Sequence, residues 1–472
     1  MSDKYPCTAS GAVTGHKGRW PVPQGRISRR DALYRFGLFP AAINALWGAD
    51  EKPSELPQKA KSVILLFMCG GVSHIDTFDP KDNKWAGTMM DAVGFGDNLA
   101  ERKRPVIPIR RTFKRYGQSG TPVSDWFPNV GGVIDEIAVV RSMWSHETNH
   151  FPAVIEMTTG HRGRQFDHPT LGSWVSYALG TANKDLPTFV NIGRASSSVQ
   201  LSGGYLGATY AATPFQPGDT PIRDLNPPTG LSVAERDRQM QTLTRLNQEF
   251  RHTYELNSDI AARMKAYELA ARMQLSAPPL VDFSGEPKHV LDLYGIGETV
   301  TDDFGRQLLL ARRMAEKGVR FIQICHAGGG NGGWDSHFDM AAHEPLCRAT
   351  DKPIAGLITD LKQRGMLDST LVVWTSEFGR TPWSQHDDKG RDHNALGYCS
   401  WFAGAGIKGG TVHGATDDVG YKAVENRHYC SDLHSTIAHQ SGLDYKKMEY
   451  RLNGRTFKLI EEGDGPISAI LG

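Results

Sequence analysis

The chain carries no surplus of either charge: 53 Lys and Arg stand against 52 Asp and Glu, a net charge of +1. That removes the basic tilt expected of a nucleic-acid binder. Long apolar runs are missing too, and none approaches the roughly twenty residues that span a bilayer. Cysteine is sparse, six in 472 residues and never in a CxxC spacing. A disulfide scaffold is thereby excluded, although a disulfide or two is not. Cys69 and Cys325 lie at the ends of apolar runs, where a buried thiol is the ordinary state. No Gly-x-Ser-x-Gly elbow follows a predicted strand, which argues against an α/β-hydrolase triad. Internal repeats are absent as well.

What is present is length and turn chemistry. A chain of 472 residues can bury a large α/β core or two domains, and 51 glycines and 26 prolines imply many turns and long loops. Ser62–Met68 is a short apolar run without alternation, closed by Gly70 and Gly71, as expected of a strand buried on both faces. Similar runs occur at 137–141, 319–325, 371–374 and 398–403, with helical patterns over 304–317 and 341–364 between them. Strand, helix and strand in turn predict an α/β fold, a mostly parallel central sheet with helices on both faces. Residues 81–120 read as a surface excursion. Residues 231–273 read as a helical hairpin inserted in or covering the sheet domain, with Leu243, Leu246, Phe250 and Tyr254 on one flank. Two regions result: residues 1–60, and a single domain over 61–472 with a helical insertion or cover at about 230–280.

The first region suggests an address. Ser28-Arg-Arg30 precedes a moderately apolar stretch from Phe36 to Trp47, which resembles a twin-arginine export signal and predicts a periplasmic or exported protein. The alternative is a mature arm carrying a short helix, in a cytoplasmic protein.

In an open α/β sheet, ligands bind beyond the carboxyl ends of the strands. Here those ends carry clusters of one chemical kind. The first strand runs into Gly70-Gly-Val-Ser-His-Ile-Asp76, where a glycine pair permits the tight turn that would bring His74 and Asp76 to face a metal. The second runs into Ser145-His-Glu-Thr-Asn-His150, ahead of a predicted helix over 151–158 whose free N–H groups can hold an anion. The third enters Gly328-Gly-Gly-Asn-Gly-Gly333 and then Trp334-Asp-Ser-His337. Alternate residues on extended backbone put Asp335 and His337 on one side. The fourth gives Ser376-Glu-Phe-Gly-Arg380, followed by Gly390-Arg-Asp-His393.

Each cluster alone has an ordinary explanation. His74 would be a turn or core histidine, Glu377 a surface ion-pair residue, and Arg380 and Arg391 salt bridges that order loops. His161, His168, His386 and His413 would be solvated. Together, carboxylates and imidazoles are the ligand set of zinc, manganese or iron, and guanidinium offers a fork for oxyanions.

The motifs also resemble a known bacterial family, domain of unknown function 1501, described as sulfatase-like. The likeness runs from Ser28-Arg-Arg30 through the block ending at Pro80, Asn149-His150 before Met157-Thr-Thr-Gly160, and Phe304-Gly-Arg-Gln307. It continues through Gly333-Trp-Asp-Ser-His337, Ser376-Glu-Phe-Gly-Arg-Thr-Pro382, Gly390-Arg-Asp-His393 and Asp432-Leu-His434. The family looks like a branch of the alkaline phosphatase superfamily, which implies an alkaline phosphatase/sulfatase-like sheet. It also implies metal ligands at Asp76, Asp335, His337, Glu377 and His393, with His74 a weaker candidate and His434 structural. Two departures matter. Glu377 and Phe378 replace the Asp and His of relatives, and no Cys-x-Pro-x-Arg formylglycine motif precedes Gly160.

The expectation is therefore a hydrolase of phosphate or sulfate esters, using one or two divalent ions (zinc, manganese, calcium or iron). Water or Thr148 attacks, Arg380 and Arg391 steady the charged oxygens, and Asp392 or His150 serves the leaving group; His150 is otherwise a ligand or nucleophile. The partner would be an anionic ester, with no nucleic acid and no membrane span, and a homo-oligomer left open. The alternative is a metal-containing binding or assembly protein that kept the fold without turnover.

Overall fold

The run Ser62–Met68 forms β1, whose seven residues are all buried. Ile64, Leu66 and Met68 face one apolar layer and Val63, Leu65 and Phe67 the other. This double burial is why the run shows no alternation. The computed structural model describes residues 56–92, 102–163, 166–215, 232–253 and 276–472 apart from 386–388, with scattered positions over 264–273. The described residues fall in one compact unit, Pro53–Gly472. The twin-arginine-like stretch, Cys7 and His386 lie outside them.

The remaining strands of the main sheet are β2 (Ile137–Trp144), β3 (Phe189–Gly193), β4 (Thr213–Phe215), β5 (Phe321–His326), β6 (Thr370–Thr375), β7 (Tyr398–Ala403), β8 (Val412–His413) and β9 (His428–Tyr429). Their order is β8-β2-β7-β6-β1-β5-β3-β4, with β9 also on β2. β1 pairs in parallel with both β6 and β5, and β5 with β3. β7 runs against both its neighbours, β6 and β2. The sheet is thus mostly parallel with one reversed member among the described strands.

Helices cover both faces. α4 (Asp302–Glu316) and α5 (His343–Gln363) lie against one layer through Leu308, Met314, Leu357 and Leu361. α1 (His150–Thr159), α2 (Leu171–Leu179) and α6 (Cys430–Gln440) lie against the other through Val154, Trp174 and Ile437. The long helix α3 (Val233–Thr253) matches the expected helical segment in part. Leu243 and Leu246, expected to form a packed flank, are half exposed instead; the side chains of Phe250 and Tyr254 lie outside the described residues.

Cys69, Cys325, Cys347, Cys399 and Cys430 are all free and buried, so none of these five forms the disulfide left open above. His161 and His168 are not solvated. They stack at 3.9 Å and are 5% and 9% exposed, held by a contact with Phe457 and the carbonyls of Lys458 and Leu459. His413 is half-buried, its Nε2 3.0 Å from that of His428. Among the described residues no helix is long and apolar enough to cross a membrane.

Candidate metal centre

The carboxyl ends of β1, β2, β5 and β6 converge, and backbone closeness at that end depends on glycine. Gly70 has φ +119°, and a Cβ there would lie 2.7 Å from the amide nitrogen of Asp335. No larger residue permits this approach between the end of β1 and the loop after β5.

Four side chains meet there: His150, Asp335, His337 and His393, with one ligand atom from each within 4.8 Å of the others. His150 opens α1 directly after β2. Asp335 and His337 end the glycine-rich loop after β5. His393 is held in register with Arg380 by a short antiparallel ladder, Gly379–Arg380 on His393–Asn394. Asp335 Oδ1 lies 2.9 Å from His337 Nε2 and 3.2 Å from His393 Nε2, and Oδ2 lies 3.2 Å from His150 Nε2. The Nε2 atoms of His337 and His393 are 2.9 Å apart.

Two of the imidazoles are oriented from behind. His150 Nδ1–H donates to Glu377 Oε1 at 2.9 Å, and His393 Nδ1–H donates to the Thr148 carbonyl at 2.7 Å. Each bond fixes a tautomer whose Nε2 carries a lone pair aimed into the cluster, the arrangement seen behind metal-bound histidines. His150 Nε2 is buried and forms no well-aligned hydrogen bond, its polar neighbour being Asp335 Oδ2 at 3.2 Å. With Nδ1–H given to Glu377, the Nε2 lone pair faces a carboxylate oxygen, and a cation between these donors would remove the cost of that approach. The donor set fits a divalent ion.

Burial would raise the pKa of Asp335, but His150, His337 and His393, with the Arg380 charge, hold it far below the usual carboxylate range. Burial would lower the pKa of His150, yet the Asp335 and Glu377 carboxylates raise it. Burial, helped by the charge of Arg380, pushes His393 down to about 3 despite Asp335, so it stays neutral and able to ligate.

The other residues expected at the site lie outside the four-residue cluster, some of them directly against it. Asp76 is buried and paired with Arg391, Oδ2 to Nε at 2.7 Å, and accepts from Ser73 Oγ at 2.5 Å. His74 points away and meets the Gly420 carbonyl at 2.8 Å. Glu377 stands behind His150, and both its oxygens accept from Gly70 N–H, at 2.8 and 3.0 Å. Arg380 is fully buried. It donates to Gly71 O at 2.8 Å, Arg391 O at 3.2 Å, Gly70 O and Asp335 Oδ1 at 2.8 Å, so the donors expected to grip an oxyanion are taken. Arg391 is likewise spent on Asp76 and the Thr381 carbonyl. Asp392 accepts from the His393 amide at 2.8 Å and lies 3.8 Å from His337 Nδ1. Phe378 packs on His150 and His393, ring centroids 5.0 and 4.5 Å apart.

Sequence reasoning had no claim on Glu156. Its buried carboxylate accepts from the amides of His146 and Glu147 at 3.1 and 2.9 Å and from Tyr429 at 2.5 Å. It braces the loop whose Thr148 carbonyl holds His393. A glutamate on the buried face of α1 was the available signal.

Residues 60–471 match the family described as protein of unknown function (DUF1501), and the chain belongs to that family. No curated protein matches it in sequence. Solved structures that it resembles include the PsFucS1 sulfatase from Pseudoalteromonas sp., at 14% identity over 85% of this chain and 70% of that one, TM-score 0.34. Alkaline phosphatase from the Antarctic bacterium TAB5 matches at 12% identity over 82% of this chain and 99% of its own, TM-score 0.35. The phosphonate monoester hydrolase SpPMH from Silicibacter pomeroyi matches at 12% over 67% and 69%, TM-score 0.31.

Proposed function

We propose that this family member is a metal-dependent hydrolase of phosphate or sulfate esters, working without formylglycine and with one divalent ion. The observation that carries the reading is the gathering of three imidazoles, their Nε2 atoms turned to the Asp335 carboxylate, with one ligand atom from each residue within 4.8 Å of the others. His150, Asp335, His337 and His393 would hold the ion. Three imidazoles favour zinc, iron or manganese over the oxygen-seeking calcium. When bound, such an ion supplies Lewis-acid stabilisation of charge on a phosphoryl or sulfuryl oxygen.

The chain's own residues do the rest. Glu377 and the Thr148 carbonyl hold two imidazoles in the ligating tautomer. Arg380 fixes the Asp335 carboxylate and the carbonyls at the end of β1, a positioning role in place of the expected substrate contact. Hydrolysis adds water across the P–O or S–O bond, with water attacking directly or through Thr148.

Turnover of aryl phosphates, phosphodiesters and aryl sulfates by protein of known metal content tests this. Activity lost in Asp335→Asn and kept in Thr148→Ala would support direct water attack. A second reading, a metal-containing binding or assembly protein, is favoured by the sequestered Arg380 and Arg391. Bound metal with no turnover on any class would select it.

A further inference from the structure

With Arg380 and Arg391 spent inside the protein, an anionic ester needs another cation at this end of the sheet. Arg194 directly follows β3, whose last residue Gly193 pairs with Cys325 at the end of β5. The loop leaving β5 then runs against it. A Cβ on Gly328 would fall 1.6 Å from the Arg194 carbonyl oxygen, so the two backbones touch. A Cβ on Gly329 (φ +102°) would fall 2.8 Å from Arg194 Nε and 2.9 Å from Cζ. The guanidinium therefore lies across the bare backbone of Gly329, in the loop that delivers Asp335. From the same loop Asn331 Nδ2 reaches Asp335 Oδ2 at 3.3 Å.

Arg194 is exposed and forms no hydrogen bond or ion pair with the described residues. Arg162, by contrast, lies 3.7 Å from Glu147. An exposed arginine lying on a glycine platform, its five donors unspent among the described residues, suits bidentate capture of an oxyanion.

We propose that Arg194 binds the charged oxygens of the substrate, a phosphoryl or sulfuryl group or an anionic substituent beside it. This rests on the reading of the site as one for anionic esters. Wild type, Arg194→Gln, Arg194→Lys and Gly329→Ala, each with metal content measured, are titrated calorimetrically with inorganic phosphate and inorganic sulfate. Arg194→Gln should weaken binding about tenfold or more at unchanged metal content. Arg194→Lys should fall between, and Gly329→Ala should weaken binding by lifting the guanidinium off its platform. Unchanged affinity in Arg194→Gln, weakening that tracks metal loss, or no anion binding by wild type overturns the assignment. Arg194-dependent anion binding by protein that holds no metal would uphold Arg194 and sink the metallohydrolase reading instead.

Discussion

His150 donates from Nδ1 to Glu377 across 2.9 Å, and the same carboxylate receives the amide of Gly70. One buried acid thus ties the end of β1 to the imidazole that opens α1. Replacing it by Gln keeps an acceptor for Gly70 and removes the charge behind His150. We expect Glu377→Gln to bind its metal about 10–100-fold more weakly with little loss of fold, read by chelator competition.

The Asp76–Arg391 pair is expected to be structural. Both side chains are nearly fully buried, so removing one partner strands a charge. Asp76→Ala should cost about 3–5 kcal/mol of unfolding free energy, measured in denaturant, while refolded protein still takes up metal. Loss of metal at unchanged stability would return Asp76 to the ligand set.

A buried histidine sets a dependence on pH. His343 is neutral, its Nε2 accepting from the Ser73 amide at 3.2 Å and its Nδ1–H donating to Ser336 Oγ at 2.9 Å. Burial, reinforced by Arg380, pushes its pKa down to about 3. The unfolded chain takes that proton first, so stability is full above about pH 6.5. It falls as pH drops towards 3, by roughly 1.4 kcal/mol per unit from this group. His343→Gln should flatten the slope between pH 6 and 4 in denaturant titrations.

Metal should stabilise the fold, because the ligands come from strand ends far apart in the chain. At a free concentration one hundred times its Kd, an ion adds about 2.7 kcal/mol. Thermal melts of stripped protein should rise with zinc, manganese or iron and stay level with calcium. A rise in Asp335→Asn equal to wild type would count against the assigned cradle.

Part of this was legible in the sequence and part was not. β1 declared itself because both faces are buried, leaving an unbroken apolar run. β3 did not, since Asn191 interrupts it, satisfied only by Gly193 O and by partners on β5. Asp335, His337 and His393 stood out as polar residues beyond strand ends, where the fold brings them together. Asp76 and Glu377 stood in equally suggestive positions. What separates them from the cluster is a pairing 315 residues away in Arg391 and one amide at Gly70, contacts that exist only after folding. The same holds for the arginines, whose type suited an anion but whose donors backbone carbonyls and the Asp335 and Asp76 carboxylates claim.

Metal analysis of protein purified without chelator, wild type beside Asp335→Asn, tests the central claim most directly. The predicted result is about one equivalent of zinc, manganese or iron in wild type, with little in the variant. Less than about half an equivalent in wild type, or equal metal in the variant, would contradict it.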